Sequence, residues 1–406
     1  MQAPSPEGEA YWGSRSWGRT KSPADGDVGL SAEGDRASYP PHWRSRAVYS
    51  DTIDTTIVKM TTDSGHVGWG EAKAPVAPTV TATIIENVLA DLLVGEDPTD
   101  PALHWEQMYG AMRIRGHSKG FWMEAMSGVD IALWDLAGKA ANVAVSTLLG
   151  GRFRERVKAY ASGIPGLRRE APEEVWEQLT QEAHRVQELG FRAVKMAVGL
   201  GVAADVQSVR AIREALGPDF TILADAAGMY DEAQAENLGN ALDELDVRWL
   251  EAPLPPEEVE SYGRLNEALH LPIASDLVYN RWQVRDLLQA GGVDVVQPDL
   301  CRAGGITGCK RIAELADAFH KPTTPHVSIG SAIHFAASVH LSSTLPSQTI
   351  MEFWYGKNPL GNALLETPLH LEDGFLWVPD GPGLGIEVEE AKLRRWSVNK
   401  SSGQYD

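Results

Sequence analysis

A parallel (β/α)8, TIM-like barrel carrying an α+β capping domain is the fold class that this sequence predicts. From about residue 157 onward, short apolar runs alternate with amphipathic stretches, eight times in roughly 200 residues. Polar residues recur at the C-terminal ends of these runs. The first 150 or so residues have a different texture, with alternation early and helical periodicity after it.

Residues 1 to about 46 are rich in Gly, Ser, Pro and Arg and show weak periodicity. They read either as a mobile tail or as a loop that orders over something. The tryptophans and arginines of "YWGSRSWGRT" (Trp12, Arg15, Trp17, Arg19) are the argument for the loop. "DTIDTTIVKMTTDSGHVGWGEA" predicts two antiparallel strands around a turn at "DSG". Residues 79–150 carry a helical pattern, in which "SGVDIALWDLAGKA" puts Val129, Leu133 and Leu136 on one face. The glycines of "LLGG" at 148–151 are expected to stop that helix. The barrel strands are then "VKAYASG", "RAVKMAVG", "TILADAAG", "VRWLEAP", "PIASD", "VDVVQPDL", "PTTPHVS" and "TIMEFWY". The last helix is missing or irregular, and "LHLEDGFLWVPDGPGLGIEVEE" looks β-like and able to return to the N-terminal domain. The expected division is therefore a cap of residues 1–155, with a substrate-covering loop at 10–46, completed by 376–406, and a barrel at 156–375.

Composition narrows the function. Lys+Arg 36 against Asp+Glu 56 gives 36 − 56 = −20, which repels phosphate backbones and anionic bilayers, so nucleic acid and membrane are poor partners. Two cysteines, Cys301 and Cys309, are too few for a disulfide framework and suit a reducing cytoplasm. No stretch reaches the ~18–20 apolar residues of a membrane helix, and the first residues lack an apolar signal core.

The chemistry lies at the strand ends, where barrel active sites are built. Lys195, Asp225, Glu251, Asp276, Asp299, His326 and Glu352 stand on the second to eighth runs in turn. One acid at such a place is most often a helix N-cap, and one histidine an ordinary core or surface residue. Helix caps would not gather on successive strands at one barrel mouth. Asp225, Glu251 and Asp276 together would repel one another and raise their own pKa values unless a cation sits among them. All-oxygen donors with room for water and substrate favour Mg2+ over Zn2+.

These motifs resemble the enolase superfamily, and within it the mandelate racemase subgroup. The likeness runs from "GHVGWGEA", "GVDIALWDLAGKA" and "LLGG" through "GFRAVKMAVG", "LADAAG", "WLEAPLPP" and "PIASD" to "QPDLCRAGGITG", "PHVS" and "GPGLG". The resemblance implies Mg2+ held by Asp225, Glu251 and Asp276, and His326 as the base with Asp299 supporting it. It implies that Lys195 neutralises the substrate carboxylate and that Glu352 binds the enolate or carboxylate from the far side. Metal and base together make removal of a carbon acid's proton feasible, a pattern established for enolase-superfamily sites. In such proteins the N-terminal segment often folds over the barrel mouth, which makes Arg15 and Trp17 candidate substrate contacts. A homo-oligomer, from dimer to octamer, is the expected assembly.

The chain also departs from the subgroup. Two-base members carry Lys-x-Lys on the second strand, whereas this chain has Lys195-Met196-Ala197. A methyl group neither takes nor returns a proton, so the face opposite His326 lacks a base. Asp-x-Asn on the third strand is Asp225-Ala226-Ala227, and Asp276 stands where Gly-Glu is more frequent. A two-base racemase is therefore disfavoured. The expected reaction is syn dehydration of a sugar acid to a 2-keto-3-deoxy acid, with His326 as the single acid/base. A cycloisomerase, a one-base epimerase or a non-catalytic sugar-acid binder are the alternatives.

Overall fold

The computed structural model describes residues 2–4, 52–73, 75–164, 172–199, 201–347, 350–356, 358 and 360–397. The cap opens with β1 (Gln2–Pro4), paired antiparallel to β2 (Thr52–Asp54). A strand at residues 2–4 departs from the reading of these first residues as a tail, while the covering loop expected at 10–46 lies outside the described residues. The predicted hairpin is β3 (Thr56–Thr61) and β4 (Val67–Ala72), in register from Thr56 opposite Ala72 to Thr61 opposite Val67.

Four helices follow: α1 (Pro78–Ile84), α2 (Ala90–Leu93), α3 (Pro101–Arg113) and α4 (Phe121–Ala141). The hairpin lies directly on α4, and two glycines permit the close approach. A Cβ on Gly70 would stand 1.8 Å from the Gly128 carbonyl oxygen, and one on Gly128 would stand 2.9 Å from Ala72. The "LLGG" expectation is corrected. Helix α4 stops seven residues earlier than Leu149, at Asn142, which adopts φ 54 and returns its N–H to Gly138 and Lys139. Asparagine tolerates this left-handed conformation better than most residues. A short α5 (Val145–Leu148) then precedes Gly150 and Gly151, both at positive φ.

The barrel strands are β5 (Arg156–Ile164), β6 (Ala193–Ala197), β7 (Thr221–Asp225), β8 (Val247–Glu251), β9 (Ile273–Ser275) and β10 (Val295–Val296), each parallel to the one before. Helices α6 (Pro172–Glu188), α7 (Val202–Leu216), α8 (Glu232–Asp243), α9 (Val259–Ala268), α10 (Arg281–Gln289) and α11 (Gly305–Ala318) follow them in turn. The seventh run forms no strand. Two isolated bridges, Val296–Thr323 and Asp299–His326, attach it to the sixth. Pro298, Pro322 and Pro325 explain the lapse, because a proline has no N–H to give a ladder. Helix α12 (Ala332–Ser343) then leads to β11 (Met351–Trp354), which closes the barrel by pairing parallel with β5. Only a 3-10 turn at Asn362–Leu364 stands where an eighth helix would be.

The tail is β-like as expected, but its strands go to the barrel. β12 (Leu371–Glu372) and β13 (Phe375–Trp377) form a hairpin that adds antiparallel to the start of β5, with Trp377 opposite Arg156. Beyond it the chain reaches the cap. Leu384 donates its N–H to Asp135 at 2.8 Å, Val145 donates to Gly383, and Glu390 of α13 (Glu390–Trp396) pairs with Lys59.

One core layer positions the site. Tyr160, Ala193, Leu223, Trp249, Ala274, Val295 and Ile350 form a buried cluster inside the strands. Successive side chains on a strand alternate between faces, so residues two positions further on face the same interior, one layer nearer the mouth. From Ala193, Leu223, Trp249, Ala274 and Ile350, that step lands on Lys195, Asp225, Glu251, Asp276 and Glu352. From Val295 two such steps pass Gln297 and reach Asp299.

Candidate active site

Lys195 is 2% exposed and sits at the centre of the acids. Its Nζ lies 2.7 Å from Glu251 Oε1, 3.2 Å from Asp225 and 3.2 Å from Glu352. Burial works to lower its pKa, but Glu251, Glu352 and Asp225 hold the ammonium well above its ordinary range. Burial is also the main reason that Asp225 and Glu251 are pushed up, and repulsion from Asp276 adds to it even with Lys195 present. Ala197, two residues after Lys195 on β6, shares its face and lies in register with Asp225.

His326 approaches the same acids from the seventh run. Its Nδ1 lies 3.0 Å from Asp299 Oδ2, and its Nε2 faces Asp276 at 3.6 Å and Glu352 at 3.7 Å. An ionised carboxylate only accepts, so Nδ1 presents its proton to Asp299. Asp299 is saturated with donors. Oδ1 accepts from Cys301 N–H at 2.8 Å and faces His334 Nε2 at 3.3 Å, while Oδ2 also accepts from Lys73 at 3.0 Å. Burial works to raise the pKa of Asp299, but Lys73 first, then His334 and His326, hold it well below the carboxylate range.

Glu352 differs from the donor that its expected role needs. Oε2 accepts the N–H groups of Val327 at 2.7 Å and Ser328 at 2.9 Å, and Oε1 faces Lys195. Burial opposes ionisation, yet Lys195 and His326 hold it below its ordinary range. As placed here it is an ionised acceptor.

Two residues that the sequence reading passed over belong to the site. Gln297 donates to Glu251 Oε2 at 2.9 Å from a fully buried position. It lies between Val295 and Asp299 on the inward-facing alternation, so strand alternation alone marks its face. Lys73 comes from the cap, and nothing periodic near "GEAK" marks it. Arg15 and Trp17 lie outside the described residues.

The donors suit a divalent cation. Ligand atoms of Glu251, Asp276 and His326 lie within 4.8 Å of one another. Asp276 Oδ1 is buried with no hydrogen-bond partner among the described residues, an orphaned acceptor that a hard cation would satisfy. Asp225 is outside this tightest group and turns its carboxylate to Lys195, while its Oδ1 accepts from Ala227 N–H at 3.0 Å. The strand ends are bent sharply here. Ala227, Ala252 and Ser328, each one or two residues beyond Asp225, Glu251 and His326, all have positive φ.

Comparison with known proteins adds the following. Residues 34–150 match the mandelate racemase / muconate lactonizing enzyme N-terminal domain, and residues 178–392 match the enolase C-terminal domain-like family. D-galactarolactone cycloisomerase of Agrobacterium fabrum is 36% identical over 88% of this chain and 94% of its own length. Arabinonate dehydratase of Saccharolobus solfataricus is 32% identical over 85% of this chain and 91% of its own. The crystal structure of the 3,6-anhydro-D-galactonate cycloisomerase of Zobellia galactanivorans superposes with a TM-score of 0.79 at 34% identity, covering 85% of this chain and 95% of that one. Among the described residues no helix is long and apolar enough to cross a membrane.

Proposed function

The chain belongs to the mandelate racemase subgroup of the enolase superfamily, and from that premise we propose that it removes the α-proton of a sugar-acid carboxylate and expels a β-oxygen. The observation that carries this reading is the asymmetry of the site. One His–Asp dyad turns its Nε2 into the site, and β6 offers Lys195, already committed to three carboxylates, and the methyl group of Ala197.

Lys195 is placed to turn from those acids to the substrate carboxylate. That move removes a positive neighbour from Glu352 and lets it take up a proton, as its expected role toward the enolate requires. Mg2+ held by Asp225, Glu251 and Asp276 would supply positive charge to the carboxylate and so raise the acidity of the α-carbon. His326 Nε2 takes the α-proton while Asp299 keeps Nδ1–H oriented and stabilises the imidazolium. The same Nε2–H then delivers its proton to the departing β-hydroxyl. Water is lost, the double bond forms between the α- and β-carbons, and the enol relaxes to a 2-keto-3-deoxy acid.

Cycloisomerisation is the second reading, favoured by the names of two of the similar proteins. It differs only in the leaving group, a ring oxygen that stays tethered, so that the product is an isomer and no water is released.

A panel of D-arabinonate, other aldonic and aldaric acids, D-galactarolactone and 3,6-anhydro-D-galactonate, each incubated with Mg2+ and followed by NMR, tests the proposal. A 2-keto product that forms with wild type and not with His326→Asn supports it. Turnover unaltered in His326→Asn removes the single-base scheme.

A further inference from the structure

The ends of the sixth and seventh barrel runs carry the dyad, yet two isolated bridges are all the strand pairing that joins them. No strand ladder among the described residues joins the seventh run to β11. At the dyad the backbone tie is the Asp299–His326 bridge with its bond from His326 N–H to the Pro298 carbonyl at 3.2 Å, a single point that a side chain can reinforce. The ammonium of Lys73 touches both sides of that bridge. It donates at 3.0 Å to Asp299 Oδ2 on the sixth run and at 3.0 Å to the carbonyl of Val327, the residue after His326. We propose that Lys73 is a positioning residue for the reaction, a brace sent in from the cap that sets the distance between these strand ends and so aims His326. The inference rests on the reading of His326 as the base.

Docking of the cap does not by itself require this lysine. The backbone N–H of Lys73 already bonds the Cys301 carbonyl at 3.3 Å, and Glu71, two residues earlier, accepts from Ser331 N–H at 2.9 Å and from its hydroxyl at 2.6 Å. Ser331 in turn caps α12 by accepting from Ile333. The cap strand is thus attached just beyond each run by other groups. Lys73 is 4% exposed, and burying an ammonium is costly unless its partners hold it. Its partners include the dyad's carboxylate and the dyad's neighbouring carbonyl.

The test uses the full-length chain with Mg2+ and the variants Lys73→Met, Lys73→Gln and Lys73→Arg. In crystals of the neutral variants, the 3.0 Å pairing of Asp299 with His326 is expected to be lost or split between conformers, and Lys73→Arg to keep it. On the acid turned over fastest in the panel, kcat should fall about 10–100-fold with KM within about twofold. Lys73→Arg should recover most of this. Adding Lys73→Met to Asp299→Asn should cost little more, because the lysine acts through that carboxylate. A Lys73→Met protein with the dyad unmoved and kcat unchanged overturns the proposal. So does failure of both neutral variants to fold, which would make the lysine a structural residue only. If His326→Asn stays active, the base assignment falls, while the dyad geometry in the Lys73 variants still reports on the brace.

Discussion

The two halves of the barrel mouth are built differently. On the β6 to β9 side, parallel ladders set the register, with Lys195, Asp225 and Glu251 each at or near the end of a hydrogen-bonded strand. On the dyad side, prolines interrupt the ladder and polar side chains take over: Lys73 bridges two strand ends, and Glu352 receives the N–H groups of Val327 and Ser328. A ladder depends little on which side chains it carries, whereas a side-chain brace depends on every member. Substitutions on the first side should act locally, and those on the second should spread.

The largest expected effect tests the second side. His326→Asn should lower kcat by about 10²–10⁴-fold without loss of fold or Mg2+ affinity; Asp299→Asn should cost about 10–100-fold by releasing the imidazole. Equal kcat in Asp299→Asn and wild type would show that the dyad is held without its acid. On the ladder side, Asp225→Asn and Glu251→Gln should each weaken Mg2+ binding at least about tenfold while leaving His326 in place. Calorimetry returning an unchanged affinity for both would remove the metal assignment.

A smaller effect concerns pH and stability. His340 is fully buried; its Nδ1 accepts from Ser146 N–H and its Nε2–H donates to the Leu384 carbonyl, which fixes it neutral. Burial lowers its pKa from 6.5 to about 4. A depressed folded pKa means that the unfolded chain binds the proton first. The contribution is therefore complete above pH 6.5 and is lost on acidification toward pH 4, on the order of 3 kcal/mol in all. Glu124 and Asp130, pushed up to about 7 by burial, work in the opposite sense. The histidine is therefore read as a difference, with denaturant unfolding at pH 7 and pH 5 losing less stability in His340→Gln than in wild type. Equal losses would mean that His340 is charged in the fold.

The smallest effect sharpens the asymmetry itself. In D2O, wild type should exchange only the α-proton facing His326 in a non-eliminating analogue. Ala197→Lys should add a trace of exchange on the other face, since nearby like charge depresses the new amine's pKa. NMR showing both epimers exchanging at similar rates in wild type would withdraw the one-base scheme.

How much of this was legible in the sequence follows the same division. Asp225, Glu251, Asp276 and Glu352 could be read because strand alternation places them two residues beyond a core residue. Ala197 could be read because Lys195 marks its face. Gln297 obeyed the same alternation and was missed only because an amide draws less notice than an acid. Lys73 was out of reach, since its partner Asp299 is 226 residues away and no local period links the two. The stop at Asn142 was misjudged because two glycines nearby gave the stronger signal, while asparagine takes a left-handed turn with less outward sign.

The pairing of β5 with both β11 and β13 has a consequence for how the chain reaches this state. The strand that begins the barrel is among the last to be finished, because one edge waits for residues 351–377. At about 5–20 residues per second, ribosomal synthesis leaves that edge uncovered for roughly 10–40 s. Such distant contacts make closure slow even after release. During that interval an apolar strand with unpaired backbone groups is open to neighbouring chains. Crowded expression should therefore penalise truncations that remove β12 and β13 through aggregation, even though every named site residue is still present.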